Sequence, residues 1–258
     1  MADKTTIITS EIKESILYIG LNRPEKRNAL NDACILELDR LFTNLPKSVK
    51  CGIIYGHGEH FSAGLDLSEL QERDAMEGWM HSRMWHSAMD KIQLKGIPVI
   101  AKIQGACVGG GLELAASAHI RVTEDSAFFA MPEGTRGIFV GGGASVRLPK
   151  LIGAHRMVDM MLTGRIYKAA EGYQLGFSQY LTENGKGMEK ATELAKRICQ
   201  NAPMTNLAIT QVLPRIADAG QDIGLMMESL AASIAQSAPE AKKRLRDFLE
   251  GRAKKVGE

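Results

Sequence analysis

Short runs of β-forming residues alternate with a longer helical periodicity in the first part of the chain. Segments 15–21, 51–55 and 98–103 are rich in isoleucine and other β-formers and run into proline- or glycine-bearing turns, which predicts three buried strands. Between the first two, apolar residues recur at helical spacing over 31–45, with Asn31 as the N-cap. This order predicts parallel βαβ connections, with helices covering the sheet.

The hydrophobic pattern changes after Gly153, where β-type runs give way to helical spacing. The segments with this spacing are 154–162, 169–175, 188–200, 207–217 and 223–235. No internal repeat or Ser/Pro-rich linker divides the chain, so any division is a packing boundary. We predict an α/β core over residues 1–190 and a helical C-terminal region over 191–258.

Charge and composition argue against several classes of partner. Lysine and arginine total 32 against 30 for aspartate and glutamate, a balance that favours neither a nucleic-acid nor a membrane surface. The charged N-terminal segment lacks the apolar region of a secretory signal, and the longest apolar stretch, 97–114, is interrupted by Pro98 and Lys102. The four cysteines are widely spaced and lack a zinc-ligand pattern. We expect a soluble, cytoplasmic protein with no metal, nucleic acid or membrane partner.

Two glycine-bearing segments offer backbone N–H groups to a bound ligand. The first, 60–67, follows a predicted strand and reads His-Phe-Ser-Ala-Gly-Leu-Asp-Leu. The second, 105–116, places three consecutive glycines where a strand passes into a helix, whose unpaired N–H groups and dipole favour negative charge. Leu65 and Gly110 could therefore donate to one oxyanion. Tight helix–strand packing is the alternative use of such glycines, and the spacing matches neither a dinucleotide site nor a P-loop.

Two glutamates stand where acid and base chemistry could occur. Glu113 is in the first turn of the helix that the glycines open, a position that also suits compensation of the helix dipole. Glu133 follows an apolar β-type run, 127–130, and strand ends commonly carry functional groups. Carboxylates in unlike surroundings can have different pKa values, so that one takes a proton from water while the other delivers one to carbon. The pair is suited to hydration.

Four segments, in this order and spacing, resemble the crotonase superfamily. They are Asn-Arg-Pro-Glu-Lys-Arg-Asn-Ala-Leu at 22–30, Phe-Ser-Ala-Gly-Leu-Asp at 61–66, Gly-Gly-Gly-Leu-Glu-Leu-Ala at 109–115 and Met-Pro-Glu at 131–133. The resemblance extends through 137–148, 162–164 and 240–252, and it is strongest to enoyl-CoA hydratase. It implies an α/β fold with a crotonase-like ββα spiral core and a C-terminal helical trimerisation region. The assembly it implies is a homotrimer or homohexamer.

The same resemblance implies roles for individual residues. The backbone N–H groups of Leu65 and Gly110 correspond to the oxyanion hole of the thioester, and Glu113 and Glu133 to the carboxylates that hold a water molecule. Water would add at C3 of a trans-2-enoyl-CoA thioester while C2 is protonated and the hole stabilises the enolate. The residues expected at the water site or against coenzyme A are Gly141, Ala63, Asp66, Lys26 and Arg27.

The resemblance leaves more than one activity open. A Δ3,Δ2-enoyl-CoA isomerase would need only Glu133, whereas Glu113 favours hydration, the reaction of fatty-acid β-oxidation. A non-catalytic acyl-CoA-binding relative is a third alternative, against which both glutamates argue. Dienoyl-CoA isomerases and 4-chlorobenzoyl-CoA dehalogenases both have an aspartate at the position that corresponds to Gly141. The glycine here argues against both activities. Coenzyme A is part of the substrate, so no other cofactor is expected.

The segment 76–89 holds Trp79, Trp85 and two histidines. In the crotonase family this part of the chain covers the acyl pocket, so that bulky or aromatic acyl groups could fit. Ordinary core packing at helical spacing is the alternative, and we assign the histidines no role. Phe139 stands where many hydratases have a small or polar residue, which implies a reshaped pocket near the acyl group.

Overall fold

The structure, a computed structural model, describes residues 6–69 and 72–252. It contains two compact units, which divide between Cys199 and Gln200. The first unit holds both β-sheets of the described residues, and the second is helical. The boundary predicted at residue 190 falls inside the helix Gly187–Cys199, which packs against the larger sheet of the first unit.

Nine strands in the described residues form two sheets. They are β1 (Ile8–Lys13), β2 (Ile16–Leu21), β3 (Cys51–Gly56), β4 (Val99–Ile103), β5 (Ala106–Val108), β6 (Ile120–Glu124), β7 (Phe128–Ala130), β8 (Ile166–Lys168) and β9 (Tyr180–Thr182). The larger sheet has the order β1-β2-β3-β4-β6-β9, with β1 antiparallel to β2 and the other pairings parallel. The smaller has the order β5-β7-β8. The three predicted strands and their parallel pairing are confirmed.

The α-helices of the described residues cover these sheets and form the second unit. They are α1 (Asp32–Thr43), α2 (Ala75–Leu94), α3 (Gly110–Ser117), α4 (Ala144–Ile152), α5 (Ala154–Thr163), α6 (Ala169–Leu175), α7 (Gly187–Cys199), α8 (Pro203–Leu207), α9 (Leu213–Asp218), α10 (Gln221–Ser237) and α11 (Pro239–Leu249). Among the described helices, none combines the length and apolarity that crossing a lipid bilayer requires.

The helix predictions are confirmed except at 207–217. There the chain forms α8, a π-helical turn at Ala208–Val212 and then α9, rather than one helix. Pro214 has no N–H to donate to the carbonyl of Thr210, so a regular α-helical ladder cannot continue through this position. The predicted N-cap of α1 is confirmed, because the Asn31 side chain accepts a hydrogen bond from the Cys34 N–H at 3.0 Å.

Successive residues of the central strands pack on opposite faces of the larger sheet. Ile54 of β3 belongs to a core cluster that includes Phe42 of α1 and Met89 of α2. Its neighbour Ile53 belongs to a second cluster, which includes Leu194 of α7. Because side chains alternate across a strand, a sheet covered by helices on both faces has continuous apolar runs. This explains why the strands could be identified from the sequence.

The smaller sheet brings two distant chain segments to one edge. Strands β5 and β7 run parallel, with Val108 opposite Ala130 at their carboxyl ends. The three glycines that open α3 follow β5, and the loop that carries Glu133 follows β7. The two glutamates predicted from the sequence therefore lie at the same edge of this sheet.

Candidate active site

Gly109 joins β5 to α3, and two features of its position require a glycine. Its φ is +51°, and a Cβ there would lie 2.6 Å from Oε1 of Glu133. Its N–H donates to the carbonyl of Ala130 at 2.9 Å, which ties the start of α3 to the end of β7. The absence of a side chain thus allows the helix to begin directly beside the Glu133 carboxyl group.

The N–H groups of Leu65 and Gly110 have no acceptor within the described residues. A parallel bridge between Leu30 and Leu65 uses the carbonyl of Gly64 and the N–H of Asp66, so the Leu65 N–H lies on the other side of its segment. Gly110 is the first residue of α3, where N–H groups have no intrahelical acceptor. A Cβ on Gly110 would lie 3.4 Å from the Leu65 nitrogen. Two unpaired donors therefore lie close together.

Glu113 is buried in the first turn of α3, with 4% of its surface exposed. Its Oε1 accepts hydrogen bonds from the N–H groups of Gly142 at 2.8 Å and Ala144 at 3.1 Å. Burial raises the pKa of the Glu113 carboxyl group, and these two N–H groups and Arg147 act against that rise. The two donors fix the orientation of the carboxyl group.

Glu133 is held differently, although it is also buried. Its Oε2 has no hydrogen-bond partner among the described residues. Burial, with a smaller contribution from the neighbouring Glu113, raises the pKa of Glu133 to about 6. A carboxyl group with this pKa is protonated in part of the molecules near neutral pH and is able to donate a proton. The two glutamates thus have the unlike surroundings that acid and base roles require.

These groups line one pocket of about 310 Å³. The sequence-predicted residues that line it are Ala63, Leu65, Gly110, Glu113, Glu133 and Gly141. Apolar side chains, including Val108, Ile138 and Phe139, form much of the remaining wall. An apolar pocket with a few convergent polar groups has the character of a ligand site.

Three predicted coenzyme A contacts lie outside the lining of this pocket. The buried Asp66 carboxylate accepts hydrogen bonds from Ser68 Oγ at 2.6 Å, Lys26 Nζ at 3.0 Å and Arg23 Nη2 at 2.7 Å. These hydrogen bonds, that from Ser68 most strongly, hold the pKa of Asp66 well below its usual range. Arg27 is exposed. The network stabilises the loop that carries Leu65, and contact of these residues with coenzyme A stays a prediction.

Trp85 lines the pocket, as do His81 and Ser82, for which no role was predicted. The Trp85 ring lies 2.9 Å from the position that a Cβ on Gly110 would take and 3.1 Å from that on Gly142. Trp85 also belongs to the core cluster, so pocket lining and core packing both apply. Helical spacing was the available signal, because these residues share one face of α2.

The profile of the family described as Enoyl-CoA hydratase/isomerase matches residues 11–257. The chain belongs to this family. A short-chain-enoyl-CoA hydratase from Clostridium acetobutylicum is 31% identical over 245 residues, which are 94% of each chain. The crotonase resemblance is thereby confirmed.

Solved structures of the enoyl-CoA hydratase/isomerase family have the same fold. A provisionally named enoyl-CoA hydratase from Rhodopseudomonas palustris superposes with a TM-score of 0.94 at 58% identity, covering 98% of this chain and 97% of its own. An enoyl-CoA hydratase from Bacillus anthracis gives 0.90 at 29% identity, covering 96% and 97%. The expected α/β crotonase fold with a helical C-terminal region is confirmed.

Proposed function

We propose that this family member is a 2-enoyl-CoA hydratase, which adds water across the C2=C3 bond of a trans-2-enoyl-CoA thioester. The observation that carries the proposal is one pocket that combines two buried carboxyl groups, of Glu113 and Glu133, with the unpaired N–H groups of Leu65 and Gly110. In the proposed reaction the N–H groups bind the thioester oxygen as negative charge develops on it. Backbone donors fixed in this way need no reorganisation during the reaction.

The two glutamates would divide the proton transfers between them. Glu113 accepts a proton from water as the water oxygen bonds to C3, and protonated Glu133 delivers a proton to C2. Burial raises the pKa of both carboxyl groups, but two hydrogen bonds to Oε1 of Glu113 act against the rise there, whereas the pKa of Glu133 is raised to about 6. Proton exchange between the two or with solvent restores the starting state. Coenzyme A is part of the substrate, and hydration consumes no further cofactor.

Hydration is tested by the loss of absorbance of the conjugated thioester with crotonyl-CoA, a longer 2-enoyl-CoA and cinnamoyl-CoA. Glu113→Gln and Glu133→Gln should each lower kcat by about a hundredfold or more, the usual contribution of a general acid or base. Glu189→Gln changes an exposed glutamate of α7 and should keep the wild-type rate. Full activity in either active-site variant would exclude the assigned role.

Isomerisation of Δ3- to Δ2-enoyl-CoA is the second candidate. It is favoured by Glu133, whose Oε2 has no hydrogen-bond partner among the described residues and whose pKa is raised. Both properties suit a group that carries a proton between C2 and C4. If the wild type leaves 2-enoyl-CoA unchanged but converts a 3-enoyl-CoA, with or without Glu113, the isomerase replaces the hydratase. If it binds acyl-CoA without converting either substrate, a non-catalytic relative is the correct interpretation.

The natural acyl group and the cellular setting are also proposals. The Clostridium relative bears the name short-chain-enoyl-CoA hydratase, which makes crotonyl-CoA the first substrate to test. Trp85 and Phe139 both line the pocket and are the side chains expected to limit acyl length. We propose cytoplasmic fatty-acid β-oxidation as the setting, because hydration of a 2-enoyl-CoA is one of its steps.

We propose that the second unit assembles copies of the chain into a homotrimer or homohexamer. The support is a series of exposed apolar side chains on its helices, which a monomer would leave in water. They are Ile223, Leu225, Met226, Leu230 and Ile234 of α10 and Leu245, Phe248 and Leu249 of α11. Light scattering after size exclusion should give three or six times the mass of one chain, and a monomeric mass would overturn the proposal.

A further inference from the structure

The loop that holds Glu113 is itself held by an arginine. Gly142 and Ala144 donate their N–H groups to Oε1 of Glu113, and Gly143 between them is the N-cap of α4. The position of that carboxyl group therefore depends on how this short glycine-rich loop is fixed. Nothing in the glycines themselves provides the fixation, because they have no side chains.

Side chains fix the loop at two points: Ser82 Oγ of α2 donates to the carbonyl of Gly141 at 2.7 Å, and Arg147, in the first turns of α4, binds the next residue. Its Nη1 donates to the carbonyl of Gly142 at 3.0 Å, its Nε to Oε1 of Gln93 at 2.7 Å and its Nη2 to Oδ1 of Asp90 at 2.5 Å. Gln93 and Asp90 both belong to α2, so the guanidinium connects the loop to that helix. Arg147 is 8% exposed, which leaves it little freedom to move away.

The loop is shaped to fit closely over the guanidinium group. Gly143 has a φ of +103°, and a Cβ at that position would lie 2.1 Å from Nη1 of Arg147. A side chain at Gly143 would therefore displace the arginine as well as strain the backbone. The close fit therefore requires both the glycine at position 143 and the arginine at position 147.

Arg147 also acts on the charge of Glu113. The charged and titratable groups around this part of the pocket are Arg147 from α4, Asp90, His86, Arg83 and His81 from α2, Arg73 just before α2, and Glu133 and Arg136 after β7. Burial favours the uncharged form of Glu113, whereas Arg147 favours the carboxylate. A base must be ionised before it can take a proton from water.

We propose that Arg147 is the positioning residue for Glu113: it binds the Gly142 carbonyl and so holds the loop whose N–H groups orient the Glu113 carboxyl group. Arg147 itself touches no substrate in this role. The inference rests on the proposed hydratase function, because it explains how one glutamate of the pair is kept as the base. The same arrangement would leave Glu133 as the proton donor.

Arg147→Lys tests the proposal, because lysine keeps the charge but cannot reach three acceptors at once. We expect kcat for crotonyl-CoA to fall by about tenfold or more, as a misplaced catalytic group does, while KM changes little. The acid limb of the pH profile of kcat should move upward by about one unit, because a displaced loop weakens the N–H hydrogen bonds that favour the Glu113 carboxylate. Gly143→Ala, which keeps the arginine but displaces it, should reproduce this pattern.

Arg121→Lys is the matched control. Arg121 is also buried, and its guanidinium donates to the carbonyls of Ala118 and Phe177 rather than to the loop. Both lysine variants are expected to lower the melting temperature, but only that at Arg147 should move the acid limb. Guanidinium added to Arg147→Ala at a non-denaturing concentration should restore part of the lost kcat.

Each result decides the proposal. A folded Arg147→Lys protein with the wild-type kcat and acid limb would overturn it, as would an equal limb shift in the control. If the wild type hydrates no 2-enoyl-CoA, the proposed function fails separately, and carbon-13 NMR titration of Glu113 then provides the test. A higher Glu113 pKa in Arg147→Lys than in the wild type supports the positioning role, and an unchanged pKa overturns it.

Discussion

Replacing Gly109 with alanine should disable the acid of the proposed pair without removing any catalytic side chain. The new Cβ would lie 2.6 Å from Oε1 of Glu133, well inside ordinary contact distance, so the carboxyl group must retreat by most of an ångström. A displacement of that size can cost about a hundredfold in rate. The backbone at Gly109, with φ +51° and ψ −122°, lies outside the left-handed helical region and adds a strain of about 1–3 kcal/mol for a residue with a Cβ.

The assay is kcat for hydration of crotonyl-CoA, together with urea unfolding of the same samples. Gly78→Ala is the matched control: Gly78 also lines the pocket, in α2, but a Cβ there would meet nothing within 4 Å. It should keep the wild-type kcat and gain about 0.5 kcal/mol of stability, because alanine is the better helix former. A folded Gly109→Ala protein with wild-type kcat would refute the argument from contact with Glu133.

Two further predictions concern stability. His119 accepts from the Val99 N–H and donates Nε2 to the Gln93 carbonyl, and burial lowers its pKa to about 4, so it stays neutral in the folded protein. The free energy of unfolding should fall by up to about 3 kcal/mol between pH 6.5 and 4, because the unfolded chain binds the proton first. Urea titrations of the wild type and His119→Gln at several pH values isolate the contribution of His119, because Glu133, whose raised pKa acts in the opposite sense, is present in both. If the free energy of unfolding depends on pH equally in the two proteins, the prediction is wrong. Asp66→Asn should cost about 3 kcal/mol, because a buried guanidinium loses its carboxylate, and an unchanged melting temperature would count against this.

The strands that could be predicted are those whose burial is visible in the sequence. β2, β3 and β4 have long apolar runs because helices cover both faces of their sheet. β8 and β9 have three residues each and little burial, and pairing with strands that are distant in sequence defines them. Such short elements leave no periodic signal, so they were missed after Gly153.

The candidate site could be predicted in part. The glycines of α3 and both glutamates are conspicuous as residue types, but their meeting in one pocket depends on the parallel pairing of β5 with β7. The contact of Arg147 with the Gly142 carbonyl could not be foreseen, because a backbone acceptor carries no sequence signature. Asp66 was predicted beside the coenzyme A channel, whereas its carboxylate is taken up by internal hydrogen bonds.

The two donors proposed for the thioester oxygen are the main-chain N–H groups of Leu65 and Gly110. This affects how the site can change during evolution. A point mutation cannot delete a backbone N–H group unless it introduces proline. Binding of the thioester oxygen would therefore persist when the carboxylate side chains are substituted during evolution. If the proposed function holds, the capacity to polarise a thioester is inherited with the backbone, whereas a few replaceable side chains decide the fate of the enolate. A scaffold built in this way can acquire a new reaction without first losing its hold on the substrate.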